Sequence, residues 1–178
     1  GVALMLSENA NDAWSRSGRK EIRSGKVGKA ARYFGMELHF IDGHKRAVKL
    51  FVVSLYMPQS GLPMQDYEDT LAKLKADIEG TKSKDVILVI GSDINAAIGT
   101  NVELGMDEHD SESKCPVGPY GVRHLNPRGM KFVEWLLEME LCSVGTFFDK
   151  PSHVTHVSTI EGVNPEEGGF MNDHILIE

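Results

Sequence analysis

Cysteine is scarce. Cys115 and Cys142 stand 27 positions apart, and neither has a second Cys or His at ligand spacing, so there is no pattern for a zinc site or a disulfide framework. Both read as structural thiols. Long apolar runs are also missing: no stretch approaches the roughly 18 uninterrupted apolar residues of a membrane span. Gly1 to Leu6 lacks the basic flank and the length of a signal peptide. These absences predict an intracellular protein, in nucleus or cytoplasm, without a membrane partner. Neither an internal repeat nor a low-complexity tract occurs, which excludes solenoids and compositionally disordered arrays.

What is there fits one domain over residues 1–178, 41% hydrophobic and 25% charged. The net charge of -7 hides an asymmetry. Residues 1–50 hold ten Lys/Arg against five Asp/Glu, and residues 51–178 hold nine against twenty-one, which gives +5 and -12. Arg16, Arg19, Lys20, Arg23, Lys26, Lys29 and Arg32 form a basic cluster suited either to a phosphate backbone or to plain solvation.

Val2 to Leu6 reads as a short strand, followed by a polar, basic connection from Trp14 to about Ala31. Met36 to Phe40 alternates apolar with polar, the period of a strand with one wet face, and Lys49 to Tyr56 is apolar nearly throughout. With a turn at Asp42-Gly43-His44 they predict an antiparallel hairpin. Tyr67, Leu71, Leu74 and Ile78 share one face of a helix over 65–79, with Gly80 as its stop. Asp85 to Ile90 predicts a buried strand running into Gly91-Ser92-Asp93-Ile94-Asn95. A long Gly- and acid-rich excursion spans 99–129. Asn126-Pro127 then predicts the N-terminus of a helix with Phe132, Val133, Leu136 and Leu137 on one face. Leu141 to Val144, the Thr155 region and Ile175 to Ile177 are further short strands. Helices alternating with strands argue for a layered α/β architecture.

Asp93 and Asn95 lie two apart, so in extended backbone they project to the same side at the end of a buried strand. A carboxylate there can orient a water near a divalent ion, and a carboxamide can donate to a phosphate oxygen. Turn-forming residues capping Ala96-Ala97 fit the same spacing.

Five segments in order resemble one family. Gly1-Val2-Ala3-Leu4-Met5-Leu6-Ser7 is similar to its opening strand GVAIxLS, and Val53-Ser54-Leu55-Tyr56-Met57-Pro58 to its strand end VSAYxP. Gly91-Ser92-Asp93-Ile94-Asn95-Ala96 is similar to GDFNA, Gly118-Pro119-Tyr120-Gly121 with Asn126 and Gly129 to GPHG…N..G, and Asn172-Asp173-His174-Ile175-Leu176 to IDHIL. Together they resemble the endonuclease/exonuclease/phosphatase (DNase I-like) superfamily, nearest the domains of LINE-type retroelements and the craniofacial-development-protein-like group. The resemblance implies a four-layer α/β/β/α sandwich and hydrolysis of phosphodiester bonds with magnesium or manganese, with nucleic acid as partner, DNA before RNA. It assigns Tyr56 to the scissile phosphate, Asp93 to the attacking water and the metal, Asn95 to the phosphate, and Asp173 to the metal site or to orienting a histidine.

Departures carry weight too. Ser92 adds one residue before the aspartate, His156 stands where tryptophan is common, and Met171 where glutamine is. The family's first asparagine and metal-binding glutamate lie upstream of its GVAIxLS strand, and its terminal SDH lies beyond the segment matched by Asn172 to Leu176. The resemblance therefore implies an incomplete sandwich, truncated at both ends, and little hydrolysis from these 178 residues alone. A non-catalytic nucleic-acid-binding or interaction module on the same fold, or a phosphatase of small phosphate esters, are the alternatives.

Overall fold

The structure is a computed structural model, and it describes residues 2–24, 31–41, 43–105, 115–150, 153–157 and 169–178. Lys26, Lys29 and Asp42 of the basic cluster and the hairpin turn lie outside the described residues. Three helices and eight strands are formed among those described: α1 (Glu8–Arg16), β1 (Glu21–Arg23), β2 (Tyr33–Ile41), β3 (Ala47–Tyr56), α2 (Met64–Thr81), β4 (Ile87–Asp93), α3 (Pro127–Glu138), β5 (Cys142–Ser143), β6 (His156–Val157), β7 (Gly169–Phe170) and β8 (Asp173–Ile177). A 3-10 turn, Val144–Phe147, follows β5. No described helix is long and apolar enough to cross a membrane.

Six strands form one mixed sheet in the order β1-β2-β3-β4-β8-β5, and β6 pairs with β7 separately. The predicted hairpin is β2–β3, antiparallel from Tyr33↔Leu55 to Ile41↔Ala47. β3 and β4 run parallel, joined through α2, and β8 returns antiparallel beside β4. Parallel neighbours need such a crossover, because the chain must travel back before it can pair again.

Side-chain alternation gives the sheet two faces. Phe51, Val53 and Leu55 of β3, Leu88 and Ile90 of β4 and Leu176 of β8 point to one face, where Tyr67, Leu71, Leu74 and Ile78 of α2 and Phe132, Val133, Trp135 and Leu136 of α3 bury them. Each large side chain so buried contributes roughly 1.5–3 kcal/mol of transfer free energy. On the other face α1 packs Ala13 and Trp14 over Met36, Leu38 and Val52. That face is open further along the sheet, with Ile87 46% and Ile175 61% exposed. The helical layer and one sheet of the expected sandwich are thus in place. Among the described residues the remaining strand pair, β6–β7, is a separate two-stranded sheet.

Four sequence expectations change. Val2 to Leu6 alternates in burial like a strand but pairs with no described strand; Leu4 and Leu6 pack against the α1–β2 cluster instead. Helix α1 replaces the front of the predicted connection, started by Ser7, whose side chain accepts from the Ala10 N–H at 3.3 Å, with Glu8 in the first turn. Helix α2 runs through Gly80 to Thr81, because nothing there demands left-handed backbone. On α3 Trp135 rather than Leu137 turns inward: Phe132, Trp135 and Leu136 fall at i, i+3 and i+4, while Leu137 is 42% exposed.

Two glycine sites on helices respond oppositely to a methyl group. A Cβ on Gly129 would sit 1.8 Å from the Ala97 carbonyl oxygen, and backbone cannot yield that much, whereas one on Gly80 meets nothing within 4 Å. Gly129→Ala is expected to lower unfolding free energy by about 3 kcal/mol or to prevent folding, and Gly80→Ala to raise it by about 0.5–1 kcal/mol. Urea denaturation of the two variants beside the parent measures both.

Candidate active site

The register across three strands brings three of the four sequence-derived residues into one row. Tyr56, the last residue of β3, is opposite Asp93, the last of β4, and Asp93 is opposite Asp173, the first of β8. The row lies at the carboxyl ends of the parallel pair, where open α/β sheets place ligands. Because Ile94 N–H donates to Asn172 O at 2.8 Å, the neighbouring Asp93/Asp173 pair is the non-hydrogen-bonded kind, with Cα atoms about 4.5 Å apart and side chains close. Two carboxylates directly opposed on one face repel each other. Asp93 is half-buried and Asp173 exposed.

Asn95 is not in the extended backbone expected from its spacing. Its φ is 47°, the left-handed region, where asparagine is among the tolerated residues, and its N–H donates to Asp93 Oδ1 at 3.1 Å. The turn that the spacing also allowed is formed and fixes the Asp93 carboxylate, and Asn95 Nδ2 donates to Met57 O at 2.9 Å. One amide hydrogen and the carbonyl oxygen of Asn95 are left by that bond. Tyr56 is half-buried and its hydroxyl accepts from Gln59 Nε2 at 2.7 Å, so its own proton can point outward.

Two clefts meet at the row. One, of about 570 Å³, is lined by Tyr56, Gln59, Asp93, Asn95, His124 and Asn172, with Asn126 at its wall. The other, of about 780 Å³, runs along the open sheet face past Tyr56, Asp93, Asp173, Lys150 and Ile175. Asn172 opens the last of the sequence motifs, whereas Gln59, His124 and Lys150 were not singled out by the sequence, since each sits in a loop whose path depends on tertiary packing. The first loop is held by Arg128 of α3, which donates to Pro58 O at 2.6 Å and also to Leu62 O, with its guanidinium 5.3 Å from the Tyr67 ring centroid. Asn126 caps α3 through the Gly129 N–H at 2.8 Å.

Behind Asp173, His174 is 3% exposed. Its Nε2 faces Met171 O at 2.8 Å, an acceptor only, so Nε2 carries the proton and Nδ1 accepts from the Ser143 hydroxyl at 2.8 Å. Burial pushes the imidazole down to about 4, and it is neutral at pH 7. Thr155 Oγ1 accepts from both the Asn172 and the Asp173 N–H, at 2.9 and 3.1 Å. The buried His174 and the exposed Thr155 thus hold the Asp173 end of the row from two sides.

Among the described residues no group of three or more His, Cys, Asp or Glu gathers as a metal site. Two carboxylates in the row are what is present.

No family model matches the chain, and no curated protein matches it. Solved structures do. The APE2 catalytic domain of Xenopus laevis is 15% identical with a TM-score of 0.55, covering 85% of this chain and 47% of its own. An endonuclease/exonuclease/phosphatase family protein from Leptotrichia buccalis is 13% identical with a TM-score of 0.52, covering 88% of this chain and 48% of its own. The chain spans about half the length of either structure.

Two outcomes are expected. With chelator present, Asp173→Asn removes the opposed charge and raises unfolding free energy by roughly 0.2–1 kcal/mol; thermal melts with EDTA check this, and a drop would contradict the repulsion. For His174 the folded pKa is below the unfolded value, so its contribution is complete above about pH 6.5 and is lost as pH falls toward 4. The loss over that window is roughly 3 kcal/mol, and His174→Gln flattens the slope between pH 6.5 and 4.5 in urea titrations.

Over the residues it shares with these structures, the chain has the endonuclease/exonuclease/phosphatase fold.

Proposed function

We propose that this chain contributes the Tyr56/Asp93/Asn95/Asp173 part of a divalent-metal-dependent phosphodiester hydrolase acting on nucleic acid, DNA in preference to RNA, of the type carried by LINE-like retroelements. The observation that carries the reading is the row itself: opposed carboxylates beside a tyrosine at the carboxyl end of the parallel strands. The collinear motifs around it support the same chemistry.

The donor set fits magnesium or manganese. Magnesium takes one or two protein carboxylates beside waters and phosphate oxygens; Asp93 and Asp173 would hold it, and its charge would offset their mutual repulsion. Such an ion, when bound, stabilises charge on phosphoryl oxygens. The chain's own residues do the remaining work. Asp93, its carboxylate steadied by the Asn95 N–H, orients a water toward phosphorus. Asn95 donates its remaining amide hydrogen to a non-bridging oxygen, where negative charge grows. The Tyr56 hydroxyl, with Gln59 donating to its oxygen, directs its proton to the same phosphate. The upstream asparagine and glutamate and the downstream histidine of the resembled family are not among these residues, so the proposal places full activity in a longer product.

Nicking of supercoiled plasmid tests this, using the 178 residues and a form extended at both ends, with magnesium and with EDTA. The extended form is expected to nick only with magnesium, the shorter form weakly or not at all, and Asp93→Ala to reduce the rate roughly a hundredfold or more. A folded, extended form that binds DNA without cutting it would replace the hydrolase with the non-catalytic binding module.

A further inference from the structure

Arg32 is a buried arginine with an unpaired Nε. It is 7% exposed, its Nε has no hydrogen-bond partner, and no carboxylate among the described residues lies within ion-pair distance. A buried guanidinium in that condition is costly, because desolvation is not offset. The same molecule shows how a structural buried arginine looks: Arg128, at 8% exposed, is satisfied by the carbonyls of Pro58, Ser60 and Leu62. Arg32 has no such set.

Its position explains what the charge is for. Tyr56 N–H donates to Arg32 O at 2.8 Å, which continues the β2–β3 register by one residue beyond Tyr33↔Leu55. Arg32 therefore opposes Tyr56 and extends the row to Arg32, Tyr56, Asp93 and Asp173. Its guanidinium carbon lies 5.9 Å from the Tyr56 ring centroid, near the limit for a cation–π contact, so the side chain is on the Tyr56 face. The backbone is pinned from the other side: Ser24 Oγ accepts from the Arg32 N–H at 2.6 Å and from the Tyr33 N–H at 3.1 Å. Tyr56, whose ring the guanidinium faces, lines both clefts, and a guanidinium fork at that position matches the paired oxygens of a phosphate group.

We propose that Arg32 is a phosphate-binding residue, taking a phosphate group of the ligand at the Tyr56 end of the row. This rests on the phosphodiester reading for the identity of the ligand, though not on hydrolysis. Lys20 and Arg23, also basic and nearby in sequence, are already engaged by Glu37 or Ser83 and by Glu21, and Arg32 differs from both.

The test is done in EDTA, so that no turnover contributes. Melting temperatures are measured for the parent, Arg32→Met and Arg32→Lys in buffer, with inorganic phosphate, and with a short DNA duplex, and duplex affinity is measured by fluorescence anisotropy across a salt series. Removing an uncompensated buried charge should leave the Arg32→Met melting temperature unchanged or raised. The same variant should bind duplex about tenfold more weakly, with a salt slope smaller by about 1, and lose the ligand-induced rise in melting temperature. Arg32→Lys should fold like the parent and recover part of the affinity. A rise with duplex but not with inorganic phosphate assigns the site to a polynucleotide backbone, and a rise with both assigns it to phosphate groups in general. Arg32→Met or Arg32→Lys that melts lower while binding duplex as the parent does would overturn the proposal and make Arg32 a structural residue. Loss of nicking with duplex binding and its Arg32 dependence intact would sink the hydrolase reading alone.

Discussion

Strand pleating has a period of two, and register therefore decides which side chains can meet at the end of a sheet. In this protein the register of β3, β4 and β8 puts Tyr56, Asp93 and Asp173 side by side, on the face that α2 and α3 do not cover. A slip of one residue in β8 would carry Asp173 to the helix face and bring His174 out in its place. The core enforces the register: Phe51, Leu88, Ile90 and Leu176 must all point toward the helices, and their burial cannot survive such a slip. Packing on one face thereby fixes chemistry on the other.

The Asp173 end of the row is held by polar groups that are satisfied in the protein interior. Gly118 N–H donates to Thr146 Oγ1 at 2.7 Å, and Thr146 Oγ1 donates to Ser143 O at 2.7 Å. Ser143 donates in turn to His174, whose other nitrogen donates to Met171 O just before Asn172-Asp173. The glycine is required at 118, where a Cβ would meet the Thr146 carbonyl oxygen at 2.3 Å. In the sequence Gly118-Pro119-Tyr120-Gly121 and Asn172-Asp173-His174 are separate motifs. In the fold they are two ends of one hydrogen-bonded chain, which rigidifies the site because each buried donor would be expensive to leave unpaired.

Much of this was legible beforehand, and what was not has physical causes. The β2–β3 hairpin, α2 and α3 follow from periodicity, because half-buried elements write their inward face into the sequence at a fixed interval. Tyr56, Asp93, Asn95 and Asp173 were named from motif order, and three of them meet in a row because each motif ends or begins a strand. The Val2 to Leu6 segment shows the limit of that reasoning: alternation reports which residues are covered, not whether a neighbouring backbone offers hydrogen bonds. Arg32 and Arg128 look alike as letters. Only the fold reveals that one guanidinium is saturated by carbonyls and the other is not, since burial without a partner is a tertiary property.

The opposed carboxylates of Asp93 and Asp173 are proposed to hold a divalent cation. Manganese titration followed by electron paramagnetic resonance tests it most directly. One bound ion per chain is expected, weakened at least tenfold by Asp93→Asn or Asp173→Asn in proteins that still fold. Equal binding by the parent and by the double variant would contradict it.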